Sequence, residues 1–206
     1  MFKVNMPYVI CTKVSDQFRA TVDTDVTFQS SDGVLFHIQR KHVEATTGGF
    51  PPSTIPTFGQ IVPLTEDAVA LELLFQFVIP RRHPSLNDID FQLLLKLAES
   101  AEKYEVYAAM NACNLRMSQM IHVHPVEILN HAIKHDYPYI IVKTTPFTLD
   151  LELQDVIARL PAHLLVPWVR EKSYEWNAQV VHVLIVLCVG NIPATMDKRN
   201  EIDAAL

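Results

Sequence analysis

His131 and His135 lie four residues apart, and Glu127 precedes them by one helical turn, so on a helix all three share a face. That is metal-ligand spacing. The glutamate base of H-E-x-x-H is missing, however, and His122 and His124 need not lie near in space. Exposed histidines on an amphipathic helix are the default, so no metal and no other cofactor is expected. Asp88 and Asp90 are paired carboxylates whose position fits a helix N-terminus, where the dipole favours them. Arg81–Arg82–His83 is a small basic spot, read as a solvated loop. G-x-S-x-G, G-x-G-x-x-G and G-x-x-x-x-G-K-[ST] are all absent. No catalytic residue is assigned, and an enzyme is not expected.

Composition narrows the field further. The chain has 206 residues, 49% apolar and 19% charged, enough for a core and too apolar for wholesale disorder. Its formal charge of −6 argues against direct nucleic-acid binding by phosphate neutralisation. Cys11, Cys113 and Cys188 are far apart, an odd count with no C-x-x-C, which fits a reducing compartment rather than a disulfide framework or thiolate zinc site. The opening MFKVNMPYVI lacks the features of a secretory signal. The most apolar run, Val180 to Val189, is half the ~20 residues a membrane span needs. A cytoplasmic or nuclear location, with no membrane partner, is expected.

These side chains need a scaffold. Val26 to Gln39 reads as a β-hairpin about Asp32–Gly33, with Arg40 to Ala45 a short helix after it. Ile61 to Leu64 is a short edge strand because of Pro63. Thr65 is read as the cap of a nearly all-apolar helix over Ala68 to Ile79. Ser85 with Asp88 resembles a capping box before a helix with Phe91, Leu94, Leu95, Ala98 and Ala101 in one stripe. Val106, Met110, Cys113, Met117 and Met120 form the next stripe, a core face with a small core cysteine. Pro125 starts a helix; Tyr139 to Val142 is ambiguous between strand and helix; Asp150 is a candidate cap for Leu151 to Leu160. Trp168 and Trp176 are read as packing within these helices. Strands first and helices after indicate α+β. The expected organisation is an N-terminal extension over 1–20, a mixed domain over 21–121, a helical extension over 122–190 and a loose tail over 191–206.

Several segments in order resemble a BTB/POZ domain. Asp25–Val26–Thr27–Phe28 resembles its opening strand, Leu35 to Lys41 its second strand running into a helix, and Phe50 the aromatic ending that turn. Leu71 to Ile79 is similar to its F-x-x-L-L-x-F-x-Y helix, with Ile79 where tyrosine is usual. Ala101–Glu102–Lys103–Tyr104 is similar to its A-[DE]-K-Y signature. The likeness covers roughly residues 22–121, and the wording resembles a fungal branch with appended helices. It implies a short sheet capped by a cluster of helices, followed by an all-α extension.

The resemblance also implies a function: protein–protein interaction as an adaptor or scaffold, with self-association into a homodimer through the first strand and the Arg40–Thr46 helix. Asp25, Gln39 and Arg40 would line a charged groove, with Asp25 and Arg40 close enough for a bidentate pair or for a plain structural ion pair. Gln39 stands where the family usually has histidine. Val43 and Phe50 are the candidate apolar dimer contacts. An alternative is a substrate adaptor for a cullin-type ubiquitin ligase, although the hydrophobic-x-Glu element of cullin-binding members is not visible in Ser53 to Gln60. A transcription-linked regulator working through a DNA-binding partner is a second alternative.

Overall fold

A computed structural model describes residues 13–50, 61–149, 151–162, 165 and 168. It is α+β: a three-stranded mixed sheet and, among the described residues, seven helices. The chain divides into two units, Met1–Gln119 and Met120–Leu206.

In the first unit, β1 (Val26–Gln29) and β2 (Leu35–Ile38) pair antiparallel, with Val26 opposite Ile38 and Phe28 opposite Phe36. Period-two alternation puts Val26 and Phe28 inward. The turn follows from Gly33, whose φ of 86° suits a residue without Cβ. β3 (Ile61–Pro63) lies parallel to β1, giving the order β2-β1-β3. Leu64 N–H donates to the Gln29 carbonyl at 2.7 Å. Main-chain groups alternate along a strand, so Val62, like Leu64, turns its own to β1, while Ile61 and Pro63 turn theirs to the outer side of β3. Proline has no N–H to offer there, which is why it is tolerated at this edge.

The opposite edge is covered. Ser15 N–H donates to Leu35 O at 2.9 Å, Leu35 N–H to Lys13 O at 2.8 Å and His37 N–H to Phe18 O at 2.9 Å. Val14 forms an isolated parallel bridge with Leu35. This stretch, read from sequence as part of an extension, therefore completes the sheet and delivers Phe18 to the core. Phe75 sits among Phe18, Phe28 and Phe36 with ring centroids at 5.8, 5.3 and 5.4 Å.

The helices of this unit are α1 (Arg40–Thr46), α2 (Ala68–Val78), α3 (Phe91–Lys103) and α4 (Tyr107–Ser118). Two caps differ from expectation. Asp67, not Thr65, caps α2, accepting from Ala70 N–H at 2.9 Å. Asp90, not Ser85 with Asp88, caps α3, accepting from Leu93 N–H at 3.0 Å. Ser85 instead accepts from Asn87 N–H within the preceding loop. In both cases a carboxylate immediately before the first helical residue reaches the third amide, which a residue farther upstream cannot. α3 ends in a Schellman motif: Val106 N–H donates to Ala101 O and Glu105 N–H to Glu102 O, with Glu105 at φ 50°.

The second unit contains α5 (Pro125–Lys134), α6 (Pro138–Leu149) and α7 (Leu153–Arg159). The ambiguous Tyr139 to Val142 is helical. Burial of Ile140, Ile141, Thr144, Thr145 and Thr148 overrides their β-branched preference. Thr145 and Thr148 hydroxyls bond back to Ile141 O and Thr145 O, in the turns around Pro146. Trp168 is buried and donates to Thr148 Oγ1 at 3.2 Å. Among the described residues no helix is long and apolar enough to cross a membrane. Trp176, Val180 to Val189, Asp150 and the 191–206 tail lie outside the described residues.

Candidate interaction surface

The β1–β2 hairpin carries a carboxylate at each end, and each closes a helix. Asp25 Oδ1 accepts from the Arg40 main-chain N–H, the first amide of α1, at 2.6 Å. Asp32 Oδ1 accepts from Ala68 N–H, the first amide of α2, at 2.9 Å. First-turn amides have no partner inside their helix, and negative charge is favoured there. α1 has particular need of this, because Gln39 at its N-cap makes no side-chain cap bond. Asp25 thus meets residue 40 through the main chain, not through the bidentate guanidinium pair that was one of the two expectations. The buried Gln39 Oε1 has no hydrogen-bond partner among the described residues, and on β2 His37 Nδ1 lies 3.0 Å from Thr27 Oγ1.

Val43 and Phe50, the expected dimer contacts, are used inside the chain. Val43 is 5% exposed. The Phe50 ring stacks on Tyr104 at 4.5 Å and 7°, and packs against Phe28 at 5.2 Å. The main chain between them is held too: Gly48 N–H donates to Glu105 O and Gly49 N–H to Tyr104 O. A Cβ on Gly49 would lie 2.7 Å from the Tyr104 carbonyl carbon, so this approach requires glycine. The outward face of α1 is formed instead by Lys41, Glu44 and Ala45, all exposed.

The Ala101–Glu102–Lys103–Tyr104 segment ties α3 to the start of α2. Tyr104 Oη donates to Glu66 Oε2 at 2.6 Å, and Lys103 Nζ to Glu66 Oε1 at 2.8 Å and Thr65 Oγ1 at 2.6 Å. Burial alone would raise the Glu66 pKa; the bonds from Lys103, Tyr104 and Thr65 outweigh it and hold the carboxyl below its ordinary value. Burial, with the bond to Glu66, pushes the Tyr104 hydroxyl up to about 12. Ala101 is fully buried, leaving no room for a larger side chain.

A shallow groove of about 420 Å³ lies on the outer side of α2, walled by Val34, Val69, Leu73, Ile89 and Leu93. Ser15 donates to Glu72 Oε2 at 2.7 Å on its lining. Val69, expected to be buried with the rest of its helix, is 61% exposed here.

The remaining candidates separate. Arg81 is not simply solvated: its guanidinium lies 5.9 Å from the Phe18 ring centroid and donates to Gln17 Oε1 at 3.1 Å. Cys113 is buried, and that burial, with Glu102 nearby, raises its thiol to about 12, which removes it as a nucleophile near neutral pH. In the second unit, Glu127 accepts from Arg159 Nη1 at 3.1 Å. His131 is not the exposed histidine expected, being 3% exposed.

Neither a family model nor a curated protein matches this sequence.

Proposed function

We propose that the first unit is a BTB/POZ-type protein-interaction module that self-associates and works as an adaptor or scaffold by recognition alone. The observation that carries this is the order of elements: hairpin, short helix, parallel edge strand, then three helices, with Lys103 and Tyr104 both anchored on Glu66. These are the segments on which the resemblance rests, in the same sequence and with a mutual packing that explains their residue types. Since Val43 is buried and Phe50 packs on Phe28 and Tyr104 within the protomer, we place the contact on the outward face of α1 and the sheet beside it. Lys41, Glu44 and Ala45 present charges of both signs around one small exposed side chain, which suits the polar rim of such a contact. A stable interface of this kind buries roughly 1,200–2,000 Å² in total.

Ala45→Arg tests the placement. It adds bulk and charge on an exposed position and leaves the core intact, so the melting temperature should stay within about 2 °C of the parent. The self-association constant measured by sedimentation should weaken at least tenfold. An unchanged constant would remove α1 from the contact.

A further inference from the structure

We infer that the last turn of α5 is a binding site for a late first-row divalent cation, held by the imidazoles of His131 and His135. The inference stands apart from the interaction module, which lies in the other unit. Position i and i+4 of a helix face the same way, and here the two rings meet: their centroids are 4.6 Å apart, their planes are tilted by 48°, and one ring nitrogen of each lies within 4.8 Å of the other. An imidazole centre sits roughly 3.2 Å from a metal it ligates, so two rings on one ion at angles between about 90° and 109° have centroids about 4.5–5.2 Å apart. The observed spacing falls within that interval.

The backbone fixes the geometry before any ion arrives. His131 lies inside α5 and is buried, while His135 is its C-cap, held by the N–H to His131 O bond at 3.1 Å. The chain then closes a Schellman motif, with Tyr137 N–H on Ala132 O at 2.8 Å and Asp136 at φ 57°. The Tyr137 ring stacks near His131 at 6.1 Å and 19°. Preorganised ligands lose little freedom on binding. The helix C-terminus adds its negative dipole end, which favours a cation. Two imidazole nitrogen donors select zinc and copper over magnesium and calcium, which take oxygen. The consequence for the protein is a staple across the end of α5, closing the turn that leads into α6.

Glu127, which the spacing alone would enrol, instead accepts from Arg159. The pair by itself supplies two of the four positions of a tetrahedral ion.

The test uses the full chain. Zn²⁺ and Cu²⁺ are titrated in competition with a chromophoric chelator, with Mg²⁺ as the hard-cation control. One equivalent of either should bind with Kd below about 100 µM, copper tighter than zinc. His135→Ala, at a half-buried helix end, should fold normally and weaken binding at least tenfold. His122→Ala, on an exposed histidine elsewhere, should leave the constant unchanged. The electron paramagnetic resonance spectrum of the stoichiometric Cu²⁺ complex should show two imidazole nitrogens, which does not depend on any variant folding. An affinity untouched by His135→Ala, a single nitrogen coupling, or equal binding of Mg²⁺ would overturn the assignment.

Discussion

Asp25 illustrates how a residue chosen for one chemistry serves another. The family resemblance implies that Asp25 and Arg40 lie close enough for a charge pair, yet the unmet group at that point is the first amide of α1, and the carboxylate goes there. Asp25→Ala should cost about 1 kcal/mol in urea unfolding, the usual size of a lost helix cap, and Asp25→Asn should recover most of it. Glu66 sets the acid response. Its folded pKa lies below the unfolded value near 4.5, so its contribution is complete above that value and is lost as pH falls through the folded one. Asp67, held low by Lys96 and the Ala70 amide, acts in the same direction. The drop in urea midpoint between pH 7 and pH 3 should therefore be smaller in Glu66→Gln than in the parent. An equal drop would place the acid sensitivity elsewhere. The family resemblance offers Val43 and Phe50 as apolar dimer contacts; the sequence carries no sign of which way they point. The answer depended on Tyr104, more than fifty positions away, presenting a flat ring to Phe50.

At the scale of elements, legibility followed locality. The hairpin was readable because its turn chemistry, Asp32–Gly33, sits between its own strands. The edge character of β3 was readable from Pro63, but its parallel pairing to β1 was not, since no local signal names a distant partner. The strap from Lys13 to Phe18 was missed for a similar reason: its residues show neither clean alternation nor helical period, and its bonds go to β2. Phe18 is nonetheless 4% exposed and touches two core rings. Phe18→Ala should destabilise by about 3–5 kcal/mol, comparable to other buried phenylalanine truncations. A loss under 1 kcal/mol would show the strap to be superficial. Cap positions were missed by two to five residues because Thr65 and Ser85 satisfy the same composition rule as Asp67 and Asp90. Glu105 marks the reverse case, a residue in left-handed backbone without the usual glycine. Glu105→Gly should raise stability by roughly 0.5–1 kcal/mol, read as an increased urea midpoint at unchanged slope.

Across the whole molecule, the first unit joins sheet, strap and α2 around one aromatic centre of Phe18, Phe28, Phe36 and Phe75. The α+β class was evident from the strands-then-helices order, and the structure bears it out. Five carboxylates of this unit complete helix ends or an inter-helix tie: Asp25, Asp32, Asp67 and Asp90 on amides, Glu66 on Lys103 and Tyr104. The most direct measurement is the molar mass of the full chain by size exclusion with light scattering, over roughly 1–100 µM, a range that covers micromolar association. Self-association through α1 predicts about twice the 23.4 kDa chain mass at the upper end, falling toward 23.4 kDa in Ala45→Arg. A parent protein that stays at 23.4 kDa throughout would contradict it.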